Sequence, residues 1–580
     1  MGINLILSNN FNSINSSDEI LYVSQFNADL INQNFLSKNI YSICKPVATT
    51  KNERQVNLVE CDKIYESIIS DVTNSLNNLH DVNYSKKEWE IMIGMWLKRF
   101  VWSCYHQYKL LKNAIINYKI DRIHLLEEKN YKLYTKETVG LHNAIFDDEW
   151  CNILLAKIFK LLNLKIYTVL SNPINNHLKN QETYHEYTND RTTLKKKLLS
   201  LISWTTTHLK SSSDAVIINT NFKFWTEKKL ELYLNQIPKY WIFPKINYGE
   251  YEEKERLKID INKTGLSEIE TIIRKILPES IPMSSVENFN EIDMLESKLN
   301  LPKNPKFIFT SMEHQFNEIF KKYIVKKQTN LYIGQHGQGQ YSHFINNYLT
   351  DKNISAKQIL WGAYPNNKKN IPAFNFKIMG KKRNYKQNGL LTIISRGFSV
   401  RSSPYDTYID DKLHLQNTSK VINGLQPEIK KKIFFKTHPA NCGREINLLK
   451  RFIQNKDINF TDNQNEFEKI MKKTQLSFFN NDSTLFLENL ALNMPSVMYW
   501  HDPFKYLNDD ACDFYQLLLN SKIIFKDIDK LISHINEYWQ NIESWWFNAS
   551  TQESIAAYNK AFNMLPNKNS LKDLSKELSL

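Results

Sequence analysis

Between Lys306 and Trp500, short apolar runs alternate with helix-like segments, and this alternation constrains the fold more than any other feature. The runs fall at 306–310, 330–333, 359–362, 390–395, 432–436, 458–461, 475–480 and 496–500. Strands separated by amphipathic helical stretches return to one sheet in parallel, so the pattern predicts a doubly wound α/β sheet. Several of the runs break off abruptly in polar residues. Phe434-Phe435 runs into Lys436-Thr437-His438-Pro439, and Leu476–Phe479 into Asn480-Asn481-Asp482-Ser483-Thr484. The second cluster opens an amphipathic helix over 485–492. In an open parallel sheet, ligands bind beyond the carboxyl ends of the strands. A helix N-terminus there offers unpaired N–H groups and a positive dipole end to an anion. Residues 434–500 are therefore read as a phosphate site for a nucleotide-linked donor.

The chain has 580 residues, too many for one core, and is 42% hydrophobic and 12% aromatic, as folded globular chains are. The net charge of +14 is spread over short lysine runs without a long basic arm, which speaks against nucleic-acid binding. The six cysteines are scattered with no Cys-x-x-Cys pair, so neither a disulfide framework nor a zinc site is expected. No run reaches the ~18 apolar residues of a membrane span, and a cytoplasmic protein is expected.

Along the first half, strands are expected at 4–8, 20–24, 120–126, 166–170 and 215–218. Helices are expected at 61–79, 85–115 and 152–162. Ser85 and Glu88 have the spacing of a capping box. The strand at 120–126 ends in Glu127-Glu128, and Asp147-Asp148-Glu149 opens the helix that follows. That acidic cluster is either an N-terminal cap or a catalytic carboxylate facing a cleft. Residues 171–190 read as a long loop. Leu194–Trp204 is a basic amphipathic stretch that suits a membrane surface or an ordinary solvated face. A loop is expected around Pro278 and Pro282. The last 55 or so residues read as helices able to pack back across the molecule. The expected domains are 1–300, 301–525 and the terminal helices 526–580.

Strand ends of the second half share one logic. Gly334-Gln335-His336-Gly337 is a glycine-flanked turn that lets backbone approach a ligand, or a plain β-turn. Neither a P-loop nor a dinucleotide fingerprint occurs, which removes ATPase and dehydrogenase readings. Lys436 and His438 end a strand where cations meet phosphate, although His438 also suits a turn before Pro439. Ser483 and Thr484 are anion donors or a simple N-cap, and Glu488, one turn on, is placed to reach a ribose or base. Arg396, at the end of the 390–395 run, is the added cation that a diphosphate donor would favour.

At these residues the chain resembles a bacterial family of transferases of surface-carbohydrate synthesis. The likeness covers most of the length: Lys86-Lys-Glu-Trp89-Glu-Ile-Met-Ile-Gly94-Met-Trp96-Leu97, Asp148-Glu-Trp150, Tyr332-Ile-Gly-Gln-His-Gly337 and Asp351-Lys-Asn-Ile-Ser355 with Trp361-Gly362. It continues through Ser483-Thr484-Leu-Phe-Leu-Glu488 to Pro495 and ends at Trp545-Trp546. Gln338, Asp351 and Met95 depart from the family's glycine, glutamate and proline. More distantly, the His-Pro and Ser-Thr elements resemble those of bacterial sialyltransferases and capsule-type Kdo transferases. That resemblance implies a GT-B-like fold, two Rossmann-like domains facing a cleft, with the donor held mainly by the C-terminal one. It implies transfer of a nonulosonic acid of sialic, pseudaminic or legionaminic type, or Kdo, from a CMP-activated donor to a glycan acceptor. No metal or other cofactor is implied, since a single leaving phosphate can be neutralised by protein groups. Peripheral contact with the inner face of the membrane or with capsule-assembly proteins is a further expectation.

On this reading Lys436, His438, Ser483 and Thr484 stabilise the phosphate charge growing in the transition state, with His438 able to protonate it. Gln335, His336, Gly337 and Glu488 complete the donor site. Asp148 is the first choice to deprotonate the acceptor or to attack the anomeric carbon, with Asp147 and Glu127 in reserve. A UDP- or dTDP-sugar transferase and a non-catalytic nucleotide- or glycan-binding protein are the alternatives.

Overall fold

The computed structural model describes residues 3–6, 19–24, 41–173, 205, 209, 211–395, 403–437, 458–461 and 463–580. The basic stretch 194–204 and most of the 171–190 loop therefore lie outside the described residues, as do Arg396 and His438.

Among the described residues the strands form three sheets, and every strand pairing in them is parallel. The first contains β1 (Ile3–Ile6), β2 (Glu19–Tyr22), β3 (Tyr41–Ile43), β4 (Ile120–Leu126) and β5 (Tyr167–Ser171), in the order β3-β2-β1-β4-β5. The middle sheet contains β6 (Val216–Ile217), β7 (Ile308–Thr310), β8 (Leu331–Gly334), β9 (Lys357–Leu360) and β10 (Asn370–Pro372), laid side by side in chain order. The third contains β11 (Leu390–Ile394), β12 (Ile433–Lys436), β13 (Asn459–Thr461), β14 (Thr474–Phe479), β15 (Ser496–Tyr499) and β16 (Ile524–Phe525). Its order is β13-β12-β11-β14-β15-β16.

The α/β expectation therefore holds, with one addition. The first and third sheets each start at an inner strand and reverse direction there, the winding of a Rossmann sheet. Between them the middle sheet divides the strand series that begins at Lys306. It also draws β6, from the expected first domain, against β7, so a boundary at 300/301 cuts through a sheet.

The middle sheet separates two cores. Because side chains alternate across a strand, Val216, Ile308, Leu331 and Ile333 face a core shared with the helices of the first half. Ile217, Phe309 and Tyr332 face a second core, shared with the third sheet and the terminal helices.

Local signals explain the helices. Thr50 and Glu53 form a capping box that starts the helix Lys51–His80, ten residues before its apolar periodicity becomes clear. Two backbone N–H groups on the Glu53 carboxylate hold its pKa near about 2. Ser85 and Glu88 form the expected box, with Glu88 N–H donating to Ser85 Oγ at 3.3 Å. The helix then passes through a π turn, Glu90–Gly94, before Met95–Asn117. Pro278 lies in the last turn of the helix Glu268–Ser280 rather than in a loop. The terminal helices include Ala549–Phe562 and Ser570–Ser579. They cross back to the middle sheet and to the helix Phe224–Tyr233. The N–H of Met564 donates to the carbonyl of Trp361 at 2.6 Å, and Gly362 leaves room for the Ala561 backbone. No described helix is long and apolar enough to cross a membrane.

Candidate functional site

The carboxyl edges of the middle and third sheets meet where β8 and β14 end. Beyond β8, Gln335 is buried and shapes the turn: its amide donates to the Gly337 carbonyl at 3.1 Å and its oxygen accepts from Trp361 N–H at 2.8 Å. Its side chain is thus used within the turn, where the sequence suggested a donor ligand. Gly337 makes the contact with the third sheet. A Cβ there would sit 2.9 Å from Thr484 Oγ1, which also accepts from Gln338 N–H at 3.1 Å. His336 is exposed on the turn, with protein crowding one side of its ring. Crowding, then the nearby Lys377 cation, lowers its pKa to about 4, so the ring is neutral at pH 7.

On the facing side, Phe479 ends β14 and the chain turns through Asn480–Ser483 into the helix Thr484–Ala491. Ser483 caps it, its Oγ accepting from Phe486 N–H at 3.3 Å. Each of the two hydroxyls thus accepts a backbone hydrogen bond and retains its own O–H to donate. Both side chains are half-buried and reachable. Asp482 is buried beneath them. Its Oδ2 accepts from Gln338 Nε2 at 2.8 Å and Tyr515 hydroxyl at 2.7 Å and lies 3.0 Å from His343 Nε2. Burial, then the Asp482 charge, raises the Tyr515 and Tyr558 hydroxyls well above their usual range, so both remain protonated.

In the third sheet, β11 pairs with β12 and β14, and the order reverses at β11. Asn480 Nδ2 donates to Ser395 Oγ at 2.9 Å across that crevice. Lys436 ends β12 buried, with its Nζ donating to the Thr437 carbonyl at 3.1 Å. Glu488 is buried and paired with Lys381 at 2.8 Å, which takes up the carboxylate that the sequence reading offered to a ribose.

Lys377, in the short turn Phe376–Ile378, escaped the sequence reading. Burial lowers its pKa, opposed by Glu488 and reinforced by Lys381. Its amine acts electrostatically on His336 and on Glu488 of the 484–491 helix, with its Nζ 5.8 Å from the Trp361 ring centre. The signal available was a lysine ending the aromatic run Phe374-Asn375-Phe376.

The acidic candidates belong to the first sheet. Glu127 follows β4, its N–H donating to the Ser171 carbonyl at 2.9 Å. Asp147 caps the helix Asp148–Leu161, accepting from Trp150 N–H at 2.8 Å, so of the two readings of the cluster it takes the cap. Asp148 sits half-buried in the first turn. The first sheet's carboxyl edge faces that of the third: Val47 N–H, beyond β3, donates to Asp406 Oδ2 at 3.2 Å, and Arg54 pairs with Asp410 at 2.5 Å.

Among solved structures, the chain is similar to the spinosyn rhamnosyltransferase SpnG complexed with spinosyn aglycone (9% identity, 79% of this chain and 100% of that one, TM-score 0.29). It is also similar to the S. aureus MnaA–UDP co-structure (11%, 62% and 94%, 0.35) and to Acinetobacter baumannii MurG (11%, 63% and 99%, 0.29). No curated protein sequence matches the chain. The LIC12162 family transferase profile matches residues 3–578. With that match running through all three sheets and the terminal helices, the chain belongs to the LIC12162 family of transferases.

Proposed function

We propose that the chain is a glycosyltransferase of GT-B type that takes a sugar from a nucleotide-activated donor. The observation that carries this reading is the junction of Gly337 with Thr484. A glycine turn on one sheet edge and a helix N-terminus on the next enclose a site with O–H and N–H donors and the Lys377 cation. Such preorganised donors suit a leaving phosphate, whose charge grows in the transition state. Neutral His336 adds a hydrogen-bonding ring beside the glycine turn. Arg396 and His438 follow β11 and β12 in sequence and are assigned to the same phosphate.

The finer reading is a CMP-linked nonulosonic acid passed to a glycan in surface-polysaccharide synthesis, and it rests on the His-Pro and Ser-Thr elements. A UDP- or dTDP-sugar is the second reading, favoured by Lys377, because a diphosphate needs more cationic contacts than a monophosphate. Asp148 is the carboxylate the sequence nominates as base. Thermal shift with CMP, UDP and dTDP tests the site: one nucleotide is expected to raise Tm, and Thr484→Ala to weaken that nucleotide about tenfold or more. If none of the three stabilises the chain, the reading fails. CMP as the only effective nucleotide, followed by its release from a CMP-nonulosonate with an acceptor, supports the finer reading.

A further inference from the structure

Two segments that carry the family resemblance, Lys86–Leu97 and Asp351–Ser355, take no part in the phosphate site. They meet across a second cleft. The π turn Glu90–Gly94 is of a kind that recurs at functional sites. Gly94 brings it close to the middle sheet, where a Cβ would lie 3.4 Å from Thr350 Cγ2. The cleft between this turn and the segments flanking β8 holds about 20 Å3 of free space beneath an open mouth, room for a single hydroxyl group or water. Glu90, Trp96, Arg99, His314, Gln315 and Asp351 line it.

Trp96 Nε1 and His314 Nδ1 are buried with no hydrogen-bond partner among the described residues, a condition native proteins rarely leave unanswered. His314 Nε2 lies 3.1 Å from Asp351 Oδ1. With the Nε2 proton on that carboxylate, Nδ1 carries the lone pair, the arrangement by which a carboxylate holds a histidine base. The cleft is also next to the phosphate site. β7 and β8 are neighbours, Thr310 opposite Ile333, so His314 and His336 extend from one carboxyl edge. Asp351 and His314 both act electrostatically on His336.

We infer that this cleft is the acceptor subsite, taking a hydroxylated sugar, and that His314 rather than Asp148 removes the proton from the attacking hydroxyl. The inference rests on the glycosyl-transfer reading. The acceptor oxygen forms the new bond to the anomeric carbon, and its proton passes to His314 Nδ1. The carbon–oxygen bond to the nucleotide phosphate breaks, and its electron pair leaves on that phosphate. Asp351 is a positioning residue that fixes the imidazole tautomer. The Trp96 N–H and the Glu90 carboxylate supply a donor and an acceptor for sugar hydroxyls.

The test uses ligand-observed NMR on the full chain with the methyl β-glycosides of glucose, galactose and N-acetylglucosamine. At least one is expected to bind, and Trp96→Phe to reduce its signal severalfold while nucleotide-induced Tm shifts persist. His314→Gln, which keeps a hydrogen bond to Asp351, is expected to lower kcat for transfer by about 100-fold or more and to remove one limb of its pH profile, with sugar binding retained. A chain that binds nucleotide but none of the sugars overturns the inference. So does a sugar signal indifferent to Trp96→Phe, or a kcat for transfer that His314→Gln leaves near wild type. If sugar binding depends on Trp96 while no nucleotide stabilises the chain, the nucleotide reading falls and the sugar subsite stands.

Discussion

Gln338 and Thr484 are 146 residues apart, yet the backbone N–H of one is bonded to the hydroxyl of the other. Gly337→Ala would drive a methyl group to 2.9 Å from that hydroxyl, and Thr484 is fixed at the start of its helix. Nucleotide affinity is expected to fall at least as far as in Thr484→Ala, while Thr484→Ser, which keeps the O–H, stays near wild type; calorimetric titration reads all three. Three histidines make a separate prediction about acid. Burial holds His80 and His534 at about 4, and crowding beside Lys377 does the same for the exposed His336, below the usual 6.5. A histidine whose folded pKa is depressed binds its proton more readily in the unfolded chain. Stability should therefore fall as pH drops from about 6.5 towards 4, and the three histidines add no slope above 7. A Tm-versus-pH series checks the window. The positions of Ser483, Thr484 and the glycine turn were legible because polar residues ending apolar runs are visible in one dimension. The role of Gln338 was not: its Nε2 reaches Asp482, Tyr515 and Tyr558, 144, 177 and 220 residues away.

Individual strands were legible because a run such as Leu476–Phe479 is apolar but for Ser477 and sits buried within β14. Their sheets were not, because a strand's sequence does not name its partner. β6 is two residues long and is paired only by β7, some ninety residues later, and β16 is equally short. Caps followed the same division. The Ser85–Glu88 box was read directly, but Thr50 was missed because polar residues dominate the first turns after it. Ser85→Ala is expected to cost about 1 kcal/mol, seen in denaturant titration, and to spare nucleotide binding. A π turn holds one residue more than an α turn, so deleting one residue within Glu90–Gly94 would convert it to α-helix and leave the residues after it in register. The deletion removes the bulged wall of the cleft, so it should weaken sugar binding while far-UV circular dichroism stays near wild type.

The whole molecule is organised by its middle sheet, which gives one face to each of the two cores. The doubly wound third sheet was expected from the alternation of runs and the first from the family resemblance, whereas the sheet between them arises from pairings that composition and periodicity do not encode. The terminal helices fasten the arrangement. A Cβ on Gly362 would run into the Ala561 backbone, which has no side-chain freedom to yield. Gly362→Ala is therefore expected to lower Tm by several degrees, a cost of about 1–3 kcal/mol for overpacking, measured by calorimetry. One contact of these helices has a consequence in time. Tyr558 supports Gln338 from 220 residues downstream, so the ribosome makes the glycine turn long before its buttress. At translation rates of about 5–20 residues per second, the turn waits on the order of ten seconds or more for that support. During that interval the glycine turn of a growing chain stands unbraced, and Gln338 gains its last hydroxyl partner only after the helix bearing Tyr558 has docked.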